Sequence, residues 1–577
     1  MVITFLTKSI FILHDGKTKG FTTGGIKKPG GTALFGCDDR LTPENIAELG
    51  LPPVTDIFCC DCRRSNNAGI LNFDGAAKHI NANHCELLAQ PGLWWATDTN
   101  RWHLYNVRSD DDVLPYGADN VNILLAHEKI MFGGVAITAL PTPGDTEHSV
   151  SYMAEEGGVT VCFCGGLLWK GGKLPYLYRL TRAIENEGHY DYHGYLRGIP
   201  EWLDSLKAIS RADIAVPYLG GIIENIKNDI RTFTENIGAY YEKYADISSI
   251  NYFFGDCLKP GAETRLARSA VKPFPRYVTG IGDQCNVVRS DSGAAFIVDC
   301  GGFGAVDKLL SMLKNGEIAS VDALYVTHYH DDHADGCGYF RRHFGCPIYS
   351  DESLSDILRN PGRYRLPCIS PVNVDASPLA DGYTWRWHEF TFTSYAFPGQ
   401  TLYHGGLLVQ NDDDKSAVFF AGDSFSPTGI DDYCAYNRNL LDGNGYFKCI
   451  GILRKHMPDY IVNQHIPDAF TFNKPQLDHM EANLRERVVI IEKLSPWPDI
   501  HYALDAHFIT AYPYERASGD RTDMVISDYG GEIKFETVPP RRRGEKNIHG
   551  VRVYLDGAYL GQKACFVEND KPEEVMK

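Results

Sequence analysis

One run of ten residues constrains this chain more than any other. Thr327-His328-Tyr329-His330-Asp331-Asp332-His333-Ala334-Asp335-Gly336 follows directly on Ala323-Leu324-Tyr325-Val326, an apolar stretch that reads as a buried strand. Alternate side chains of an extended segment share a side, so His328 and His330 can both face one ion. Asp332 and His333 fall at the following turn and can reach a second ion; paired ions of this kind typically lie ~3.5–4 Å apart. A lone histidine at a strand end is ordinarily a satisfied core residue. Three histidines and an aspartate within six positions rarely have that explanation. Imidazole with carboxylate suits zinc best and admits iron or manganese, so two Zn²⁺ ions are the expected cofactors.

Three more apolar runs end in residues of the same type. Ala294 to Val298 runs into Asp299 and a glycine-rich turn, Cys300-Gly301-Gly302. Ala417-Val418-Phe419-Phe420 runs through Ala421-Gly422 to Asp423, and Tyr460-Ile461-Val462 through Asn463-Gln464 to His465. A buried lone aspartate is costly unless paired, which favours a metal role for Asp423. His-x-His-x-Asp-His after an apolar strand resembles the signature of the metallo-β-lactamase superfamily. The resemblance spans about residues 272–507 and implies an α/β fold, an αββα sandwich with metal ligands on loops along one edge. It implies that His328, His330, Asp332, His333, Asp423 and His465 hold metal, with Asp423 bridging both ions. Asp299 is implied to orient ligands. Asp332 and Asp423 are the expected catalytic residues.

The superfamily's third motif is usually Pro-Gly-His-Thr. Here it reads Pro398-Gly399-Gln400-Thr401-Leu402-Tyr403-His404, with Gln400 where histidine is expected. We expect His404 to reach the first ion in its place. The alternative is that His404 only hydrogen-bonds near the ligands and the first ion is weakly held. Tyr329, Asp331 and Tyr403 flank the ligands and could meet substrate, although solvent-facing loop positions are the plainer reading. Residues 427–439 are polar and aromatic, and Arg438 among them would suit an anionic substrate.

The first half of the chain repeats the plan with altered residues. Residues 56–69 line up with 324–336, placing Asp61 at His328, Arg63 at His330, Ser65 at Asp332 and Asn66 at His333. Asp145 falls at Gln400 and Gly166 at Asp423, and no histidine follows Ala212 to Pro217. An arginine at a former ligand would repel a cation. A thiolate site from Cys59, Cys60 and Cys62 is the alternative, but no second cysteine pair stands nearby. We therefore expect two tandem copies plus a small C-terminal β domain. The boundaries are 1–257 (degenerate, without metal), 258–275 (linker), 276–510 (catalytic) and 511–577 (β-rich).

Composition narrows the function classes. With 44% hydrophobic and 23% charged residues, the chain can bury large cores. A formal net charge of −18 disfavours nucleic acid, which needs a basic surface. No stretch approaches the roughly 18 apolar residues of a membrane span. No secretion signal is visible, and the sixteen cysteines read as reduced thiols, so a cytoplasmic location is expected. Only 41 residues separate Asp423 from His465, too few for the inserted domain of RNA-processing relatives. The expected function is a binuclear zinc-dependent hydrolase whose metal-bridging hydroxide attacks an ester, lactone, amide or phosphodiester. The alternatives are an iron-dependent oxidoreductase of the same fold, or a non-catalytic metal-binding or sensory protein. The expected partner is a small-molecule substrate; homo-oligomerisation is left open.

Overall fold

The computed structural model describes residues 1–17, 20–95, 114–146, 148–173, 184–186, 189–191, 194–253, 265–361, 368–431, 445–494, 523–526, 532–538 and 548–566. They form two compact units, 1–239 with the described residues from 490 onward, and 240–489. Among the described residues no helix is long and apolar enough to cross a membrane.

In the first unit one sheet runs β1 (Val2–Phe5), β2 (Ile10–His14), β3 (Thr23–Lys28), β4 (Gly31–Phe35), β5 (Val54–Phe58), β6 (Ala77–Ile80) and β7 (Val121–Ile123). Pairing is antiparallel from β1 to β4 and parallel from β4 to β7. The other sheet is an antiparallel meander of β8 (Lys129–Phe132), β9 (Val135–Pro141), β10 (Val150–Glu156) and β11 (Val159–Gly165). A separate hairpin, β12 (Ile184–Asn186) with β13 (His189–Asp191), precedes β14 (Ile214–Pro217), which joins β11 in parallel.

The second unit follows the same order and directions without a counterpart of β1. Its first sheet is β15 (Val278–Gly282), β16 (Cys285–Arg289), β17 (Ala294–Val298), β18 (Ser320–Val326), β19 (Ile348–Asp351) and β20 (Ser377–Leu379), antiparallel to β17 and parallel after it. Its second is β21 (Thr384–Trp387), β22 (Phe390–Ala396), β23 (Gly405–Asn411) and β24 (Ala417–Phe420), with a small hairpin of β25 (Phe425–Ser426) and β26 (Gly429–Ile430) beside it. β27 (Tyr460–Val462) then pairs with β24 in parallel.

Period-two alternation builds the core between these two sheets. Phe296 and Val298 of β17, Ala323 and Tyr325 of β18, Phe390 and Phe392 of β22 and Val418 and Phe420 of β24 form one buried cluster. Phe296 and Phe392 join the sheets with ring centroids 4.6 Å apart. The intervening residues Ala295, Ile297, Leu324 and Val326 are buried as well. That explains why β17 and β18 read as continuous apolar runs, as strands covered on both faces do. The helix Phe303–Lys314 turns Ala305, Val306 and Leu309 inward.

Two regions sit differently from the sequence-based boundaries. β28 (Asp523–Ile526), β29 (Ile533–Val538), β30 (Ile548–Leu555) and β31 (Ala558–Phe566) form a four-stranded antiparallel sheet, but it groups with the first unit. Arg552 Nε and Gln562 Nε2 donate to Asp39 at 2.8 and 2.7 Å, and Arg64 Nε donates to Gln562 Oε1 at 2.7 Å. Of the expected linker, residues 265–275 are bound to the second unit. Ser269 N donates to Pro427 O and Lys272 N to Ala469 O.

Candidate metal centre

The parallel register Val298↔Tyr325 brings the ends of β17 and β18 to one edge. Asp299 leaves β17 with φ +60° and turns its buried carboxylate across that edge. It accepts from Thr327 N at 2.7 Å and Thr327 Oγ1 at 2.8 Å, and pairs with His333 Nδ1 at 3.0 Å. His333 lies on the short helix Asp331–Ala334, whose backbone packs hard against the turn after Asp299. A Cβ at Gly301 would fall 1.6 Å from Asp332 O, so that turn must carry glycine. His328 Nδ1 meets Thr327 Oγ1 at 3.0 Å, which directs Nε2 away.

The second sheet delivers the rest. Asp423 follows β24 and Gly422; its carboxylate stands 3.3 Å from His333 Nε2, 3.2 Å from His465 Nε2 and 3.8 Å from His328 Nε2. His465 Nε2 also lies 3.1 Å from Asp332 Oδ2. The edges are stitched together by Gly405 N donating to Thr327 O at 2.7 Å. Two trios result, His328, His330 and Asp423, and Asp332, His333 and His465; within each, the ligand atoms lie within 4.8 Å of one another.

Gln400 and His404 take different places. Gln400 Nε2 donates to Asp423 Oδ2 at 3.2 Å. His404 belongs to neither trio. Its backbone bridges His328, its ring centroid is 4.7 Å from that of His328, and its Nε2 is 3.4 Å from Ser424 Oγ. A Cβ at Gly422, where φ is +52°, would fall 2.4 Å from the His404 ring. Tyr329 is buried, opposite in alternation to His328 and His330, rather than on a solvent-facing loop. Tyr403 is half-buried, with its carbonyl accepting from Thr401 Oγ1. Arg438 lies outside the described residues. Sequence reasoning missed Gln284, in the β15–β16 turn, whose Nε2 is 3.2 Å from His465 Nδ1. Nothing in its local sequence marks it.

Charge and solvation fit the edge to cations. His328 Nε2, His333 Nε2, Asp332 Oδ1 and Asp423 Oδ1 are buried without a hydrogen-bond partner, a cost that bound cations would remove. Burial pushes His328 well below the usual histidine range and His330 down to about 4, leaving neutral imidazoles of the kind metals bind. Burial also opposes charge on His333, yet Asp423, Asp332 and Asp299 outweigh it and hold that ring protonated. The same contest, won by Asp423 and Asp332, lifts His465 to about 10. Against its own burial, Asp423 is held well below the carboxylate range by His465 and His333.

Residues 280–433, which carry the first trio and all but His465 of the second, match the metallo-beta-lactamase superfamily. The second unit carries a metallo-β-lactamase superfamily domain. A hydroxyacylglutathione hydrolase of Marinomonas sp. (strain MWYL1) is 26% identical over 139 residues, 24% of this chain and 45% of that protein. The chain thus spans less than half the length of that curated relative. Among solved structures, a metallo-β-lactamase from Cronobacter sakazakii (a HARLDQ-motif mutant) is 15% identical at TM-score 0.31, covering 41% of this chain and 98% of that one. BJP-1, a subclass B3 metallo-β-lactamase of Bradyrhizobium japonicum, is 14% identical at TM-score 0.31, covering 41% and 92%.

The corresponding edge of the first unit carries the same backbone bonds on different side chains. Gly36 N donates to Phe58 O as Asp299 N does to Tyr325 O, and Cys37 N to Asn66 O as Cys300 N does to His333 O. Val150 N donates to Cys60 O as Gly405 N does to Thr327 O. By these bonds Asp61 stands at His328, Arg63 at His330 and Asn66 at His333. The buried Arg63 guanidinium lies between Asp61, 3.3 Å from its Oδ2, and Asp145, with which it forms a close ion pair. A Cβ at Gly166, the counterpart of Asp423, would fall 2.0 Å from Asp145 Oδ2.

Proposed function

We propose that the second unit is a binuclear metal-dependent hydrolase, with zinc the cation its donors suit best. The observation that carries this is the pair of trios joined through Asp423, whose carboxylate faces both His333 and His465 within 3.3 Å. His328, His330 and Asp423 would hold one ion, and Asp332, His333 and His465 the other. Bound ions supply Lewis acidity and a water of lowered pKa, the chemistry of ester, lactone, amide or phosphodiester hydrolysis. The chain supplies the order around them. Asp299 fixes the tautomer of His333 and, through Thr327, the ring of His328. Gln284 steadies His465 at the mouth, where that side chain is a third exposed. Asp332 is the partly exposed carboxylate nearest the mouth and can accept a proton from the solvent side. The resemblance to a protein named as a hydrolase supports hydrolysis over redox chemistry.

We further infer that the first unit is a second copy of the same plan without metal. Its strand order, the same but for the added β1, the matched backbone bonds and a guanidinium held by two carboxylates support that reading. Elemental analysis of protein purified without added metal, with an Asp423→Ala control and a screen of chromogenic esters and phosphodiesters, tests both readings. About two zinc ions per chain, lost in the variant, with hydrolysis of at least one substrate class, is the expected result. Iron with no hydrolysis would favour an oxidoreductase. Metal that survives Asp423→Ala would point to the first unit.

A further inference from the structure

We propose that Gln400 supplies its amide oxygen as a protein donor to the ion held by His328, His330 and Asp423, making this half of the centre the weaker for zinc. The proposal rests on the binuclear reading and concerns this chain's own departure from the usual histidine.

Three observations carry it. First, the residue is pinned. Gln400 N donates to Ser424 Oγ at 3.3 Å, and Gly399 lies so close to Ser424 that a Cβ there would fall 2.2 Å from the same oxygen. Second, the amide has a defined polarity. A carboxylate only accepts, so the amide end facing Asp423 Oδ2 at 3.2 Å is the NH₂. Its Oε1 is then the free end. It is buried without a partner in a residue only 8% exposed, on the carboxylate that closes the first trio. Third, the other candidate stands outside both trios, although its Nδ1 is also buried without a partner. His404 Nε2 faces Ser424 Oγ, its backbone is tied to His328, and its ring fills the space that Gly422 leaves. His404 is thus a positioning residue for His328.

An amide oxygen is a harder and weaker donor than imidazole, and it carries no charge. The first ion would therefore be released before the one at Asp332, His333 and His465. It would also discriminate less against manganese than a site completed by a third histidine.

The test is metal binding by full-length, chelator-stripped protein, followed by isothermal titration with zinc and with manganese and checked by elemental analysis after dialysis. Wild type should take two zinc ions, the weaker at least about tenfold below the stronger, since even the loss of an outer partner of a ligand changes affinity by about 10–100-fold. Gln400→Leu should keep the tight ion and lose the weak one. Gln400→His should tighten the weak zinc site by about tenfold or more and lower its relative affinity for manganese. His404→Asn should still bind two ions. Circular dichroism confirms that each variant is folded, and the gain in Gln400→His does not depend on tolerance of the leucine. Wild-type zinc binding by Gln400→Leu, or loss of one ion in His404→Asn alone, would overturn the proposal and leave two ions in the wild type. A wild type that binds no more than one ion would overturn the binuclear reading itself, and the proposal with it.

Discussion

Replacing Arg63 with methionine tests what the buried Asp61–Arg63–Asp145 cluster contributes to the stability of the first unit. The Asp61, Arg63 and Asp145 side chains are 1%, 5% and 3% exposed. Methionine keeps the volume of the stem but leaves two buried carboxylates without their cation. Breaking a buried pair in this way costs roughly 3–5 kcal/mol. For a unit of this size each kcal/mol lowers Tm by about 1–2 °C, so the first unit's transition should fall by about 3–10 °C. The deficit should also depend on pH. Burial raises the Asp61 pKa, and Arg63 is the strongest influence holding it down. Without Arg63 it rises further above the unfolded value of ~3.9. A carboxyl raised on folding stabilises below its unfolded pKa, and that contribution is lost as pH rises through the folded pKa. The variant's deficit should therefore shrink as pH falls from about 7 toward about 4. Scanning calorimetry across this range, with hydrogen exchange over residues 54–67, measures it. Arg386→Ala is the control: that side chain is 72% exposed in its pair with Asp412, and its loss should cost no more than about 1 kcal/mol. A loss below about 1 kcal/mol in Arg63→Met at neutral pH, or a deficit that grows on acidification, would refute the reasoning.

Asp299→Asn should lower metal affinity by about 10–100-fold, read by competition with a chromophoric chelator, because the carboxylate sets the His333 tautomer and steadies Thr327. Gly422→Ala should destabilise the second unit by about 1–3 kcal/mol through a left-handed backbone and a clash with the His404 ring; a thermal shift of the second unit's transition checks it. Metal uptake near neutral pH should release protons, because His333 and His465, the latter at about 10, are protonated before binding. Titration heats in buffers of different ionisation enthalpy should report that release, and affinity should rise with pH; identical heats in all buffers would contradict it.

The side chains that converge at the edge were legible in the sequence where a single local segment settles their place. His328, His330, Asp332 and His333 follow one strand, and alternation alone sends the first two to one side and Tyr329 to the other. Asp423 and His465 were legible because each ends an apolar strand. The places of Gln400 and His404 were not legible, because they depend on Ser424 and Gly422, which follow a different strand. Gln284 was invisible for the same reason: its turn has no motif, and its partner His465 is 181 positions away. The C-terminal strands announced themselves as β-rich, yet their attachment to the first unit runs through the Arg552–Asp39 pair, 513 positions apart, which no local pattern encodes. Residues 265–275 read as a linker from their prolines and charges, while Lys272 and Ser269 form backbone bonds to distant segments.

The most direct test of the central claim is metal content per chain in wild type and Asp423→Ala, measured on protein purified without added metal. Because Asp423 faces both His333 and His465 and closes the His328–His330 trio, the account predicts about two ions in the wild type and loss of both in the variant. A wild type that stays metal-free after reconstitution, or a variant that retains its full complement, would contradict it.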